Sequence, residues 1–545
     1  MFIMQWIDNA VFYQIYPQSF KDSNGDGIGD IQGIISKLEY IKQTGFNAIW
    51  INPCFDSPFL DAGYDVADYY KVAPRYGTNE DLKILFEKAH SMGMHVLLDL
   101  VPGHTSYMHP WFKESMKQEK NEYSDRYIWT DYVGRDTTTV EGVTGWLRGI
   151  CDRNGSCAVN YYASQPALNY GFAEITDKEN HWQMKPNEQG PRKNVDEMKK
   201  IMSFWLDMGC DGFRVDMAGS LVKNDYGQEE TIKIWQDING YIHKKYPNAV
   251  TISEWGEPTR SLRGEFDADF LLSFGPSHYM DLFRNANMLD FESNTNYFSK
   301  TGKGDLTEFK KAYMLFYEQA KNGGVICIPS GNHDLPRMTA YMDEEDIKLA
   351  FLFLFTMPGV PFIYYGDEIA MKYIHSIPSK EGGYYRTGAR TPMQWDNSLN
   401  AGFSSSREAE LYLPIDEDQN RPNVKQQMND ENSVYNTVKK LISLRKSQNC
   451  LGNKADFEFV DVSELRYPLA YIRSNENEKM LVVINPSSNY VECNIPKIGD
   501  VIFSIGEMFT NTGNNIKVAP CSGLVAKIVD YCYSGFEIYN QFKNI

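Results

Sequence analysis

The fold predicted by this sequence is α/β: a (β/α)₈ barrel with an inserted domain after its third strand and an all-β domain at its C-terminal end. Three observations predict it. Short apolar runs alternate with amphipathic stretches, the signature of βα units around a parallel sheet. Eight such runs occur, the number that closes a barrel. After about residue 455 the pattern changes to short strands with no helices between them. At 545 residues the chain is too long for one ordinary domain, and a barrel with additions uses most of it.

The elements follow in order. The first strand is read at 10–17, "AVFYQIYP", and a loop "KDSNGDGIGD" follows at 21–30. Ile31, Ile34, Ile35, Leu38 and Ile41 then recur at helical spacing. Strands two and three are 46–52, "FNAIWIN", and 94–101, "MHVLLDLV". Residues 105–193, rich in Tyr, Gly, Asn and Asp, separate strand three from its next helix. That is too long for a loop and reads as a small inserted domain. Val195, Met198, Ile201, Met202 and Trp205 mark the next helix. Strands four to eight are 212–216, 249–254, 268–274, 324–330 and 361–365, and the helical "VYNTVKKLISLRK" (434–446) ends the alternating part. "LAYIRS", "KMLVVINP" and "GLVAKIV" are the short strands of the last domain. The expected boundaries are 1–104 with 173–455 for the barrel, 105–172 for the insertion and 456–545 for the C-terminal domain.

Composition excludes several classes. With 72 acidic against 54 basic residues the net charge is −18, the wrong sign for a nucleic-acid partner. The most apolar stretch, 349–365, is broken by Pro358, Gly359 and Pro361, so no membrane span is expected. "MFIMQWIDNA" has neither a basic n-region nor a continuous apolar run, so no secretory signal is read there. The nine cysteines are scattered, and Cys151 with Cys157 lacks the second pair of a zinc site. Reduced thiols in a cytoplasmic protein are the expectation.

Polar residues gather at the C-terminal ends of the nominated strands: Asp99 with His104, Arg214 with Asp216, Glu254, and Asn332, His333 and Asp334. In a barrel those ends converge on one face, where active sites are built. One carboxylate at a strand end is ordinarily a cap or one half of an ion pair. Four converging carboxylates cost stability, which favours a functional reading. Paired carboxylates suit acid/base chemistry on a glycosidic bond. Arg214, two residues before Asp216, lies on the same side of the strand and is expected to hold it ionised. Glu254 has no neighbouring cation in sequence and precedes Trp255, so it is expected to be the protonated acid.

These segments resemble the α-amylase superfamily, glycoside hydrolase family 13, and within it the oligosaccharide α-glucosidase (oligo-1,6-glucosidase-like) branch. "GFRVD", "ISEWGEP" and "GNHDLPR" match its catalytic segments in order, and "DLVPGHTS", "QPALN", "PFIYYGDE" and "ARTPMQWD" match supporting motifs. The resemblance spans about residues 10–450. It implies a barrel with an inserted domain B and a C-terminal antiparallel β-sandwich. It also implies Asp216 as nucleophile, Glu254 as general acid/base and Asp334 as third carboxylate. Arg214, His104 and His333 would contact the sugar or the nucleophile. Asp61 and Arg390 would clamp the terminal sugar, with Tyr64 as an aromatic platform. The implied activity is retaining, exo-acting hydrolysis of short α-linked gluco-oligosaccharides. A glucosyl transferase or isomerase of the trehalose synthase or sucrose isomerase type would use the same triad while excluding water. A non-catalytic binding subunit would lack the triad and carry a membrane anchor.

Three positions depart from the family's pattern. Gly103, after Pro102, stands where Asn is usual in a second calcium site. Met217 replaces the Val or Ala that commonly follows the nucleophile. Leu335 replaces a frequent polar residue after Asp334, which is expected to make the acceptor side less polar. The loop at 21–30 places Asp22, Asn24 and Asp26 at positions 1, 3 and 5 of an EF-hand count, the Ile28 carbonyl at 7 and Asp30 at 9. Gly33 stands at position 12, where an EF-hand has its bidentate Glu, which argues against a calcium sensor. A structural Ca²⁺ (or Mg²⁺) and a metal-free acidic turn both remain open, and the resemblance implies the ion.

Overall fold

The structure, a computed structural model, describes residues 6–135, 140–178, 182–321, 323–407, 411–463, 466–507, 510–512 and 515–530. Eight parallel strands form a closed barrel: β1 (Phe12–Ile15), β2 (Ala48–Ile51), β3 (His95–Leu100), β4 (Gly212–Val215), β5 (Val250–Ser253), β6 (Ala268–Phe270), β7 (Val325–Pro329) and β8 (Val360–Tyr364). Each pairs with its neighbours in this order, and β8 closes on β1 with Phe12 opposite Phe362. These are the eight runs nominated from sequence. Most strands stop short of their apolar runs, because the residues just past each end turn inward to build the site. The run at 268–274 keeps the fewest strand residues, its last four leaving the sheet.

The barrel is filled rather than hollow. Phe12, Trp50, Leu97, Ile252, Phe270, Cys327 and Phe362 pack along its axis, with Phe12 and Phe362 stacked at 4.1 Å. The helices bury their apolar faces against the outside of the sheet. The first helical pattern is two helices, Ile31–Ser36 and Leu38–Thr44, divided at Lys37. Asp30 caps the first by accepting from the Gly33 amide at 2.6 Å.

Between β3 and the helix Gln189–Met208, the chain forms a small antiparallel ribbon, Gly145–Leu147 with Cys157–Val159. Beside it lies an apolar cluster of its own: Ile128, Val140, Ala158, Ala167, Phe172 and Trp182. At the C-terminal end, a five-stranded and a three-stranded antiparallel sheet enclose a separate core that includes Ile472, Leu481, Val483, Ile516 and Leu524. No helix among the described residues is long and apolar enough to cross a membrane. Among the described residues eight cysteines are free, Cys151 and Cys157 among them.

Candidate active site

Asp216 and Glu254 stand one residue past the ends of β4 and β5, and Asp334 lies in the loop after β7. All three line one cavity of about 830 Å³ at the C-terminal end of the barrel. Asp61, Tyr64, His104 and Met217 line it too. Residues far apart in the sequence therefore close into a single pocket.

Arg214 organises the floor. Its Nη1 donates to Asp99 Oδ1 at 2.9 Å and to Asp216 Oδ1 at 3.0 Å, and its Nη2 reaches Glu254 Oε1 at 2.7 Å. One buried guanidinium thus serves three carboxylates, as a rigid five-donor fork can. This corrects the expectation that Glu254 lacks a cation. Its partner comes from the neighbouring strand, which spacing along the chain cannot reveal. Trp255 does line the cavity, its indole Nε1 donating to Gln228 Oε1 at 2.8 Å and its ring meeting Phe266 edge-on.

Burial first, and then the charge of Glu254, push the Asp216 carboxyl well above its ordinary range, with Arg214 opposing. Arg214 favours the ionised form of Asp216 as expected, but its charge is divided among three acids and does not cancel the effect of burial. Asp99, buried beneath them, is raised by desolvation to about 6 even with Arg214 beside it.

Asp334 behaves oppositely. Burial would raise it, but His333, Arg386 and Arg390 together hold it well below the usual carboxylate range. His333 Nε2 lies 3.1 Å from Asp334 Oδ2, while its Nδ1 faces the amide groups of Gln14 (3.2 Å) and Asn52 (3.1 Å). Two amide donors at Nδ1 place the ring proton on Nε2, the ring nitrogen that approaches Asp334. His333 is fully buried, and Tyr64 stacks on it at 5.3 Å. His104 lines the cavity, but both ring nitrogens already have protein partners: Asn160 at 3.2 Å and the Tyr64 carbonyl at 3.1 Å. Burial lowers its pKa to about 4, so it is neutral at neutral pH.

The expected Asp61–Arg390 clamp is built differently. Arg390 lies under the pocket, donating to the His333 carbonyl at 2.8 Å and to Asp334 at 3.1 Å. The cation facing Asp61 is Arg386, at 3.5 Å, and Arg386 also donates to Asp334 (2.6 Å) and to the Tyr162 hydroxyl (3.0 Å). Gln165 donates to the other Asp61 oxygen at 2.8 Å. Desolvation, with Asp334 adding, raises Asp61 to about 6 while Arg386 opposes. Arg386 is not among the residues nominated from sequence, because it sits on an irregular turn. The one signal for it is its place in "YYRTGART", four residues before Arg390.

The departures also find their places. Met217 lines the cavity in the left-handed region (φ 43°), and its amide donates to Glu254 Oε2 at 3.1 Å. A side chain at Gly103 would meet Asn160 Nδ2 at 2.7 Å, so Asn160 occupies that space. Leu335 is buried and absent from the cavity lining, so it does not alter the acceptor side as expected.

The loop at 21–30 lies apart from these residues, between β1 and its helix. Asp22 accepts from the amides of Asn24, Gly25 and Gly27 and from the Ser404 hydroxyl. Asp26 accepts from the Ile28 amide, and Asp30 from the amide and hydroxyl of Ser23. Among the described residues, no group of three or more His, Cys, Asp or Glu is arranged to hold a metal ion. The loop's donors are nevertheless all oxygens, the chemistry of a hard divalent cation. Such an ion would share Asp22 with the N–H groups that now satisfy it.

The family model for the α-amylase catalytic domain matches residues 14–454, and that for the maltogenic amylase C-terminal domain matches 457–517. The chain is 32% identical to the oligo-1,6-glucosidase of Parageobacillus thermoglucosidasius, covering 88% of this chain and 90% of that one. It is 30% identical to the glucan 1,6-alpha-glucosidase of Streptococcus pneumoniae, covering 89% and 92%. Among solved structures it is similar to the trehalulose synthase MutB of Pseudomonas mesoacidophila MX-45, with TM-score 0.81, 26% identity, and 96% of this chain and 100% of that one covered. It is likewise similar to an isomaltulose synthase mutant of Erwinia rhapontici NX5 solved with its natural substrate sucrose, with TM-score 0.80, 27% identity, and 96% and 99% covered. With its barrel, its C-terminal sheets and a family match over most of its length, the chain belongs to the α-amylase family, glycoside hydrolase family 13.

Proposed function

We propose that this protein is a retaining, exo-acting α-glucosidase that removes glucose from the non-reducing end of short α-linked gluco-oligosaccharides. The observation that carries this reading is the pocket itself. Two carboxylates are fixed on one guanidinium, and a third stands opposite beside a polar wall of Asp61, Arg386, Tyr162 and Gln165. A polar wall on one side of the pocket suits the hydroxyl groups of a terminal sugar better than an internal chain segment.

In the forward step, Asp216 attacks C1 while Glu254 gives its proton to the leaving oxygen, and the aglycone departs. Glu254 then takes a proton from water, whose oxygen displaces Asp216 from C1. Two inversions give retention, and anchoring both acids to Arg214 favours the short carboxylate separation that route requires. The double displacement needs Glu254 protonated and Asp216 ionised when sugar is bound. A sugar that moves Glu254 off Nη2 leaves more of the Arg214 charge to Asp216. Asp334, kept ionised by its three partners, is suited to accept from sugar hydroxyls more strongly as positive charge develops.

A second reading, a sucrose isomerase, is favoured by one observation: the similarity to trehalulose and isomaltulose synthases runs along nearly the whole chain. A time course of NMR spectra on maltose, isomaltose, sucrose and trehalose separates the two. Hydrolysis is expected to release free glucose as the main product. A disaccharide isomer dominating over glucose would overturn it in favour of the isomerase.

We further propose that Asp22, Asn24, Asp26, the Ile28 carbonyl and Asp30 hold a structural Ca²⁺ or Mg²⁺. Bound there, the ion would supply only neutralisation of three carboxylates and stiffening of the loop. Chelation is expected to lower the thermal midpoint by several degrees while kcat below that midpoint stays within about twofold, since a ligand stabilises the fold it binds. A midpoint unchanged by chelator and by added calcium would sink the assignment.

A further inference from the structure

The loop that carries Arg386 is anchored by a buried acid with no role in the chemistry above. Glu381 has a side chain only 3% exposed and accepts three hydrogen bonds from three separate parts of the chain. Arg75 Nη1 lies 2.7 Å from its Oε1, the Tyr412 hydroxyl 3.0 Å from the same oxygen, and the Tyr16 hydroxyl 3.1 Å from Oε2. Arg75 is itself fixed. Its Nη2 donates to Gln18 at 3.0 Å and to the Tyr76 hydroxyl at 2.7 Å, and its guanidinium lies over the Phe59 ring. A buried acid with a complete set of donors is costly to assemble, and breaking such a pair leaves an uncompensated charge.

What this anchor holds is the backbone under Arg386. Glu381, Gly382 and Tyr384 all have positive φ, 50°, 59° and 47°, a conformation that non-glycine residues adopt only under constraint. Gly382 runs against the pocket wall, and a Cβ there would stand 2.7 Å from the Leu60 carbonyl and 3.8 Å from Asp61 Oδ1. The Gly382 carbonyl accepts from Arg386 Nη2 at 2.6 Å, and the Gly383 carbonyl from its Nε at 3.3 Å. Arg386 is therefore aimed by the two peptide groups that directly follow Glu381. From there it reaches Asp61, Asp334 and Tyr162.

We propose that Glu381, clamped by Arg75, Tyr16 and Tyr412, is a positioning residue that acts through Arg386 to fix the polar wall of the sugar pocket. The proposal rests on the α-glucosidase reading for its substrate. Glu381 touches no substrate; it sets the place of the group that does. Releasing it lets the strained turn relax and Arg386 retreat from Asp61, which weakens the grip on the terminal glucose more than the bond-breaking step.

The test is a double-mutant cycle on the full-length enzyme, with Glu381→Gln, Arg386→Gln and the double variant assayed on maltose and isomaltose. Glucose-shaped 1-deoxynojirimycin is titrated in parallel by calorimetry. Each single variant is expected to raise KM and weaken deoxynojirimycin about tenfold, Glu381→Gln with kcat held within about threefold, and the double variant to be no worse than Arg386→Gln alone. Arg75→Met, which cuts the anchor without touching Glu381, is expected to copy the Glu381→Gln pattern. Circular dichroism and the thermal midpoint report whether each variant is folded at the assay temperature. Additive effects in the double variant, or Glu381→Gln and Arg75→Met that lose thermal stability at unchanged KM, overturn the proposal and leave the α-glucosidase reading intact. A wild type that turns over no α-glucoside overturns both.

Discussion

Asp216→Asn is expected to lower kcat on natural α-glucosides by roughly 10⁴-fold or more, the scale of loss when a group that makes the reacting bond is removed. The secondary structure and thermal midpoint should remain, because Asn keeps the shape and relieves crowding among acids. Asp216 is pushed well above its ordinary range by burial and by Glu254, so a neutral side chain suits the resting pocket. What the amide cannot do is bond to C1. An activated fluoroglucoside that traps a slow intermediate should add one glycosyl mass to the wild type and none to the variant. Residual activity within tenfold of wild type would refute Asp216 as nucleophile.

Glu254→Gln should fail differently, and the contrast separates the two roles. Its proton matters most when the leaving group is a poor one, so loss should be severe on maltose and much smaller on a glucosyl fluoride. The amide oxygen still accepts from Arg214, while the NH₂ replaces the oxygen that the Met217 N–H reaches, so one hydrogen bond is lost and the rest of the pocket should survive. Equal losses on good and poor leaving groups would remove Glu254 from acid duty.

The barrel is legible in the sequence because its strands are short apolar runs, and at β4 and β5 the acid that closes the run is the one the site uses. Asp99, Asp216 and Glu254 are grouped by their place in the chain alone, since strand ends of a parallel barrel converge on one face. What a linear pattern hides are contacts that cross between strands or depend on the path of irregular loops. Arg214 meeting Glu254 is of the first kind, as adjacent strands bring together residues far apart along the chain. Arg386 replacing Arg390 opposite Asp61 is of the second. The residues between them turn as a short 3₁₀ segment, which reverses the roles that a motif alone would assign. Leu335 shows the same limit from the other side: next to Asp334 in sequence, it points into the core while Asp334 faces the cavity.

Arg214→Met is expected to abolish activity and to destabilise the fold by about 3–5 kcal/mol at neutral pH, the usual result of stripping the cation from a buried ion cluster. The deficit should depend on pH, and its sign follows from the acids left behind. Asp99 already has a folded-state value of about 6, above its ordinary 3.8, because burial outweighs Arg214. Asp216 is shifted in the same direction. Without the guanidinium, both move further up. An acid whose folded value exceeds its unfolded value contributes stability that is fully present below the unfolded value, near 4 for Asp. That contribution is lost as pH rises through the folded value. The variant should therefore approach the wild type at pH 5 and fall increasingly short of it toward pH 8, as read from urea midpoints across that range. Adding Asp99→Asn to Arg214→Met should recover part of the loss at pH 8 and little at pH 5. A deficit that stays constant from pH 5 to 8 would mean that Arg214 serves the fold by packing over Trp50 and Tyr64, the rings it covers, rather than by balancing charge. Dependence on pH instead ties stability to the buried acids around Arg214, Asp216 among them, the group that attacks the sugar. In that case the pocket is costly to keep folded for the reason it is suited to cleave a sugar, because its acids are held close, dry and short of positive charge.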